Sequence, residues 1–247
     1  MTAAVVAGAN RFGFVKRYPA GREDLRDAEV EGLEALAATA TVAVPRILQR
    51  GSIHGAPSLV LERLEPAGPA AAATGEAAFG AALARLHRVS GPAFGWAHDN
   101  FIGATVQRNG WHDDWATFFR DRRLRVQLEL AASGTTALYA GATREKLLEQ
   151  GWSLLDAVPR LLAGHAPSPS LLHGDLWAGN WMVDRRRGQA YTFDPAVHHG
   201  DREADFAMTA LFGGFGAAFR AAYIQAWPLP EGYSTRRELY NLYHLLN

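Results

Sequence analysis

The string His173-Gly174-Asp175-Leu176-Trp177-Ala178-Gly179-Asn180 is followed, 14 residues after its last member, by Asp194 at the end of a predicted strand. Asp175 and Asn180 stand five apart on a loop between short β-rich runs. That spacing suits a carboxylate that takes the proton of an acceptor hydroxyl and an amide that ligates a metal, the two groups that phosphoryl transfer asks for. Mg2+ prefers hard oxygen ligands and keeps several waters, so Asp194, Asn180 and nucleotide phosphates form a sufficient set without His or Cys. His173 reads as a residue that orients the loop rather than as a base.

Such chemistry also needs a cation on the donor phosphates, held by a carboxylate from a neighbouring helix. The chain writes Arg 23 times and Lys twice, so Lys16, in Phe14-Val15-Lys16 on a predicted strand, marks a place where a compact point charge is wanted. With Leu25 at 0° and about 100° per residue, Glu29 falls near 40°, between Leu36 near 20° and Leu33 near 80°. Glu23, Glu31 and Glu34 fall on the opposite side. A carboxylate within an apolar stripe is costly unless paired, and Lys16 is its expected partner.

The elements that must position these groups follow from the pattern. Ala3 to Val6 and Phe12 to Tyr18 read as a hairpin around Gly8-Ala9-Asn10, followed by a helix over 22–38 and strands over 42–48 and 58–61. The Pro-, Ala- and Gly-rich stretch within 64–75 reads as a linker, dividing the chain into a small β-rich lobe, 1–65, and a larger helical lobe, 66–247. Helices are expected over 76–89, 112–131, 143–163, 205–211, 217–226 and 235–246. Short strands are expected at 171–172, 181–183 and 190–193, with an irregular aromatic stretch around Trp96 and Phe101. The fold class is therefore α+β with two lobes.

Composition excludes other classes. The 247 residues are 48% hydrophobic, and 25 basic residues balance 25 acidic ones, which argues for a folded domain and against disorder or a nucleic-acid partner. Arg185-Arg186-Arg187 reads as a solvated hairpin turn. The longest runs without charge are 14 residues, such as Leu130 to Thr143, too short and too polar for a bilayer. The amino terminus lacks a basic n-region, so a cytoplasmic address is expected. Without cysteine, thiolate sites are excluded. His198 and His199 lack a third ligand at a useful spacing, and neighbouring side chains on an extended segment point apart, which disfavours zinc.

The chain resembles the fructosamine kinase family, the ketosamine 3-kinases related to aminoglycoside phosphotransferases and protein kinases. The resemblance is carried by Phe14-Val15-Lys16, by Glu29, by Leu59 to Leu64, by Trp111 to Trp115 with Phe118-Phe119, and by Arg123-Leu124 with Gln127. In the second half it is carried by Leu172 to Asn180, Asp194-Pro195-Ala196, Gly200 to Glu203, Leu211 to Phe215 and Leu239 to Asn247. It implies a protein-kinase-like fold and transfer of the γ-phosphoryl group of ATP, with Mg2+, to the 3-hydroxyl of a ketosamine, a glycated amine or glycated protein. It implies Asp175 as base, Asn180 and Asp194 as metal ligands, Lys16 on the phosphates oriented by Glu29, and Val60, Leu61, Glu62 and Leu64 as the hinge that contacts adenine. Trp177 would pack on the sugar or its amine carrier.

Asp201 and Arg202 either contact substrate or cap the following helix, Asp205 reads as a cap that also braces the loop, and Phe215, with Phe212, either lines the substrate site or belongs to the core. The family pattern carries a further strand and a Gly-rich phosphate loop before the region matching Ala3, and a helical tail after Asn247. On that basis this chain is expected to lack both, and a non-catalytic remnant that binds ligand or partner is the alternative. Another aminoglycoside or amino-alcohol phosphotransferase is disfavoured by Gly200-Asp-Arg-Glu203 and Phe212-Gly-Gly-Phe215.

Overall fold

A computed structural model of the chain describes residues 2–5, 13–133 and 141–247; the expected turn at Gly8-Ala9-Asn10 lies outside the described residues. The smaller lobe is a four-stranded antiparallel sheet in the order β1 (Thr2–Val5), β2 (Gly13–Arg17), β4 (Ala56–Glu62), β3 (Ile47–Ile53), with α1 (Glu23–Ala38) packed on one face. Alternation along the strands explains why α1 docks there. Lys16 pairs with Leu59 and Phe14 with Leu61 across the β2–β4 ladder. Leu59, Leu61 and Tyr18 therefore join Leu25, Val30 and Leu33 of α1 in one buried cluster.

The β3–β4 hairpin turns on His54 and Gly55, both at positive φ (52° and 78°), as a two-residue turn matched to strand twist demands. That turn sets β3 at 47–53, later than the 42–48 segment expected from β-rich composition. Val42 is buried all the same, with a bridge from Ala43 to Tyr191 of the other lobe.

The stretch expected to be linker is shorter than its composition suggested. Helix α2 (Pro69–Leu86) begins with Pro in its first turn, where the missing N–H costs nothing, and runs through the Ala-rich segment because Ala is the best helix former. Only residues 63–68 connect the lobes irregularly.

The larger lobe adds a small hairpin, β5 (Asn100–Ile102) with β6 (Thr105–Gln107), in the stretch read as irregular. The expected helix over 112–131 starts at α3 (Trp115–Phe118), capped by Asp114, whose carboxylate accepts the Thr117 N–H at 2.7 Å. It passes through a π-helical segment, Phe119–Leu124, into α4 (Arg125–Ser133). Helix α5 (Gly141–Leu161) follows. Strand β7 (Ser170–Leu172) pairs antiparallel with β10 (His198–Gly200), so the two histidines lie on a strand rather than a loop. Between them the hairpin of β8 (Trp181–Asp184) and β9 (Gln189–Thr192) projects toward the linker. Helices α6 (Arg202–Leu211), α7 (Ala217–Ala226) and α8 (Tyr233–Leu246) complete the lobe. No helix among the described residues is long and apolar enough to cross a membrane.

Two apolar clusters hold this lobe together, one around Trp115, Phe118, Phe119, Leu155 and Tyr240, the other around Phe79, Leu83, Phe206, Phe219 and Tyr223. In the second, α2 and α7 touch backbone to backbone: a Cβ at Gly80 would lie 2.2 Å from the Phe219 carbonyl oxygen. Gly80→Ala is expected to force the helices apart at a cost of about 1–3 kcal/mol. Thermal unfolding checks this, with an expected fall of about 2–4 °C in Tm per kcal/mol.

Candidate active site

The site lies where β2 and α1 of the small lobe face two loops of the large one. Lys16 Nζ is 2.7 and 2.6 Å from the two carboxylate oxygens of Glu29 and 2.6 Å from Asp194 Oδ1. Tyr18, two residues on and on the same face of the strand, donates its hydroxyl to Glu29 Oε2 at 2.6 Å. Lys16 and Glu29 are buried, whereas 40% of the Asp194 side chain is exposed. Burial alone would lower the Lys16 pKa, but Glu29 and Asp194 outweigh it and hold the ammonium above its ordinary value. Asp194 follows β9 with φ +57°, a left-handed conformation that Asp tolerates better than most residues. Glu31, placed by the helical wheel on the solvent side, instead accepts the Trp96 indole N–H at 2.9 Å and meets His98 Nε2 at 2.7 Å, tying α1 to the large lobe.

Asp175 sits on the loop after β7, opposite Asp194. Asn180, ending a single 3-10 turn, donates its side-chain amide to Asp175 Oδ2 at 2.9 Å and to the Asp175 carbonyl at 2.8 Å. Burial pushes the Asp175 carboxyl up to about 7; the Asn180 hydrogen bond opposes this, and the charges of Asp194 and Asp205 add to it.

The loop is braced from below. Asp205 accepts the backbone N–H groups of His173 at 2.7 Å and Gly174 at 2.9 Å, and it meets His87 Nε2 at 3.2 Å. Burial would raise its pKa, but the hydrogen bonds from His87 and from the loop N–H of Gly174 oppose that, and the net direction is downward. Asp205 thus braces the loop, while the cap of α6 is Asp201. Gly174 has φ +82°, and a Cβ there would fall 2.0 Å from the Ala196 carbonyl oxygen, so this position demands glycine. His173 is fully buried; its Nε2 faces the Phe193 carbonyl at 3.0 Å, which leaves Nδ1 to accept the Asp175 N–H at 3.3 Å. Burial lowers its pKa and keeps the ring neutral.

Two cavities of about 220 Å³ each meet at Asp194. One is lined by Lys16, Glu29, Phe101, Asp175, Trp177 and Asn180. The other is apolar, walled by Phe14, Pro45, Leu61, Glu62, Leu64, Pro66, Met182 and Phe193. Val60, buried at the centre of β4, is not part of that wall.

The family model for fructosamine kinase matches residues 2–247. The chain belongs to the fructosamine kinase family. A probable ketoamine kinase of Synechocystis sp. is 43% identical over 250 residues, 98% of this chain and 78% of that protein. The chloroplastic protein-ribulosamine 3-kinase of Arabidopsis thaliana is 35% identical over 239 residues, 95% of this chain and 69% of that one. A solved structure from Haemophilus somnus, provisionally assigned as a fructosamine-3-kinase, is 32% identical with a TM-score of 0.83, covering 95% of this chain and 75% of its own. An aminoglycoside-3'-phosphotransferase of type VIII, 21% identical over 98% of this chain and 93% of its own, has a TM-score of 0.55 and shares the protein-kinase-like fold.

Three residues considered for substrate contact do not reach the cleft. Asp201 Oδ2 is taken by the Tyr240 hydroxyl and His165 Nε2, both at 2.6 Å, and its Oδ1 accepts the Glu203 N–H. Arg202 donates to the Trp227 and Pro228 carbonyls and lies over the Trp227 ring. Phe215 stacks on Trp181 inside the core. The exposed aromatic of that segment is Phe212, edge-on to Trp177 at the cleft rim with ring centroids 6.1 Å apart. Tyr18, Asn100 and Phe101 also line the cleft, beyond the site residues that motif and spacing single out; the short turn at Gly103 is the local signal that marks the last two.

Asp205→Asn leaves one acceptor oxygen for two loop N–H groups. The expected loss is about 1–3 kcal/mol of stability, read by urea denaturation. Because the Asp205 pKa is depressed in the folded chain, its stabilisation is present above the ordinary carboxylate range and fades as pH falls through the depressed value, a pH dependence the variant should lose.

Proposed function

We propose that this chain is an ATP-dependent ketosamine kinase that transfers the γ-phosphoryl group to the 3-hydroxyl of a fructosamine or ribulosamine. The observation that carries the reading is the convergence of Lys16, Glu29, Asp175, Asn180 and Asp194 on one cleft from four separate segments. The name of the Arabidopsis relative supports the ribulosamine and the 3-hydroxyl.

The residues suit the groups such a reaction uses. Asp194 and Asn180 offer a partly exposed carboxylate and an amide, the hard oxygen donors that Mg2+ takes, and the adjoining apolar cavity suits a purine base. Bound Mg2+ would neutralise phosphate charge during transfer. Leu61, Glu62 and Leu64 would hold the base along the linker, with Met182 and Phe193 as the floor. Lys16, kept charged by Glu29, would position the phosphates. Asp175 would orient the acceptor hydroxyl and take its proton as the oxygen bonds to phosphorus in line with departing ADP, with no covalent enzyme intermediate. Trp177, 40% exposed beside Asp175, would offer an aromatic face to the sugar or its carrier.

The test is ADP formation dependent on small ribulose- and fructose-derived ketosamines with Mg-ATP. Turnover is expected, and Asp175→Asn is expected to lower kcat by about 10²–10⁴; folded protein without turnover would favour the non-catalytic reading. The base works ionised, so kcat/KM should rise with pH through about 7. Burial of that carboxylate carries a second consequence. Its cost to the fold grows from about pH 4 upward and levels above about pH 7. Asp175→Asn should therefore melt higher than the unaltered chain at pH 8, with the advantage shrinking as pH falls toward about 4.

A further inference from the structure

The arginine run Arg185-Arg186-Arg187, expected to be a solvated turn, is engaged with the connection between the lobes. It caps the β8–β9 hairpin, whose two ends lead directly to Asn180 and Asp194. Arg187 Nη2 donates to Glu62 Oε1 at the end of β4, and Arg185 and Arg186 donate to the carboxylate of Glu65 in the linker. The backbone is joined along the same line. Glu65 N–H donates to Asp184 Oδ1 at 2.8 Å, Arg185 N–H to the Glu65 carbonyl at 2.6 Å, and Ala67 N–H to the Val183 carbonyl at 2.9 Å. Asp184, fully buried, also accepts the Arg187 N–H at 3.2 Å, which fixes the turn.

Glu62, Leu64 and Pro66 form one wall of the apolar cavity; Met182, in β8 of the same hairpin, and Phe193, just after β9, form the other. The clasp therefore joins one wall, at Glu62, to the hairpin that carries the other. Glu62 is 9% exposed, and its second partner, Arg46, is farther away at 3.3 Å with 74% of its side chain in water. Arg187 is the better placed of the two to hold it.

Resting on the nucleotide reading above, we propose that Arg187 is a positioning residue for the nucleotide base: by pinning Glu62 to the β8–β9 hairpin it holds the linker and the cavity floor at the spacing the base requires, and couples that spacing to the strands that end at Asn180 and Asp194.

Titration calorimetry with Mg-ADP on the full chain tests this. Arg187→Gln is expected to weaken binding about fivefold, the scale of one ion pair with a half-exposed partner. Arg187→Glu should weaken it further by repelling Glu62, and Arg187→Lys, which keeps the charge, should stay within about twofold of the unaltered chain. In turnover the loss should fall on KM for the nucleotide and spare kcat, a split that a mere loss of folded protein does not produce. Thermal unfolding of each variant identifies any that fails to fold, and the Gln and Lys variants carry the comparison if the Glu variant does. Equal affinity across the series, or a loss confined to kcat, overturns the proposal. No Mg-ADP binding by the unaltered chain overturns the nucleotide reading itself, and this inference with it.

Discussion

A single ammonium group, Lys16 Nζ, sits between a carboxylate of its own lobe and a carboxylate of the other. Removing charged groups from water is costly, and such an arrangement persists only where geometry and hydrogen bonds satisfy every partner. Here the constraint reaches far. Lys16 must lie on the face of β2 that packs on α1, Glu29 must fall within the apolar stripe of that helix, and the Tyr18 hydroxyl completes Glu29. Asp194 must leave β9 in a left-handed conformation. The sheet register, the helix phase and the turn after the β8–β9 hairpin are all subject to one ion cluster. Loss of Glu29, which takes two of the three bonds, would leave the buried ammonium only the partly exposed carboxylate of Asp194.

The opposite side of the cleft is organised by the first turn of α6, where four charged residues within five positions are all buried. Each has a separate task. Asp201 caps the helix and accepts Tyr240 and His165, Arg202 satisfies the carbonyls that end α7, Glu203 pairs with Arg236 at 2.7 and 2.8 Å, and Asp205 holds the loop N–H groups. A charged cluster this dense looks like ligand-binding chemistry when read as a string. In the fold it is a frame that fixes α6, α7 and α8 against the loop bearing Asp175, so its contribution to the site is rigidity rather than contact.

The same contrast explains how much the sequence disclosed. Groups whose chemistry is local were legible: the Asp175 to Asn180 spacing lies within one loop, and the inward phase of Glu29 is set by helical geometry alone. Helices with strong periodicity are legible with displaced starts, by three residues for α6 and seven for α2, because Asp201 caps α6 and Pro69 starts α2 at positions decided by caps rather than by apolar spacing. What depended on tertiary pairing was not legible. The three-residue strands β5, β6 and β10 are too short for period-two alternation to register, and Glu31 faces a partner 65 residues away in Trp96. Phe212 and Phe215 share a motif, and only packing separates the exposed ring from the buried one.

Ties between the lobes gather on two sides of the cleft. Along one, α1 is fastened by Glu31 to Trp96 and His98 and by the close approach of Gly32 to Pro195, where an added Cβ would lie 2.8 Å from the ring. Along the other, the linker is joined to β8 through backbone bonds and arginine contacts. Lys16 and Asp194 lie between them. A hinge opening about either line would have to break the other along with the central ion pair, so the two lobes are held at a set separation. The stretch of rim at Trp177 and Phe212 stands apart from both lines and carries exposed aromatic surface, 40% and 55% respectively. Openness follows from that asymmetry: the cleft is least enclosed where Trp177, part of its lining, stands edge-on to Phe212, while Lys16 and Asp194 are held between the two lines of ties.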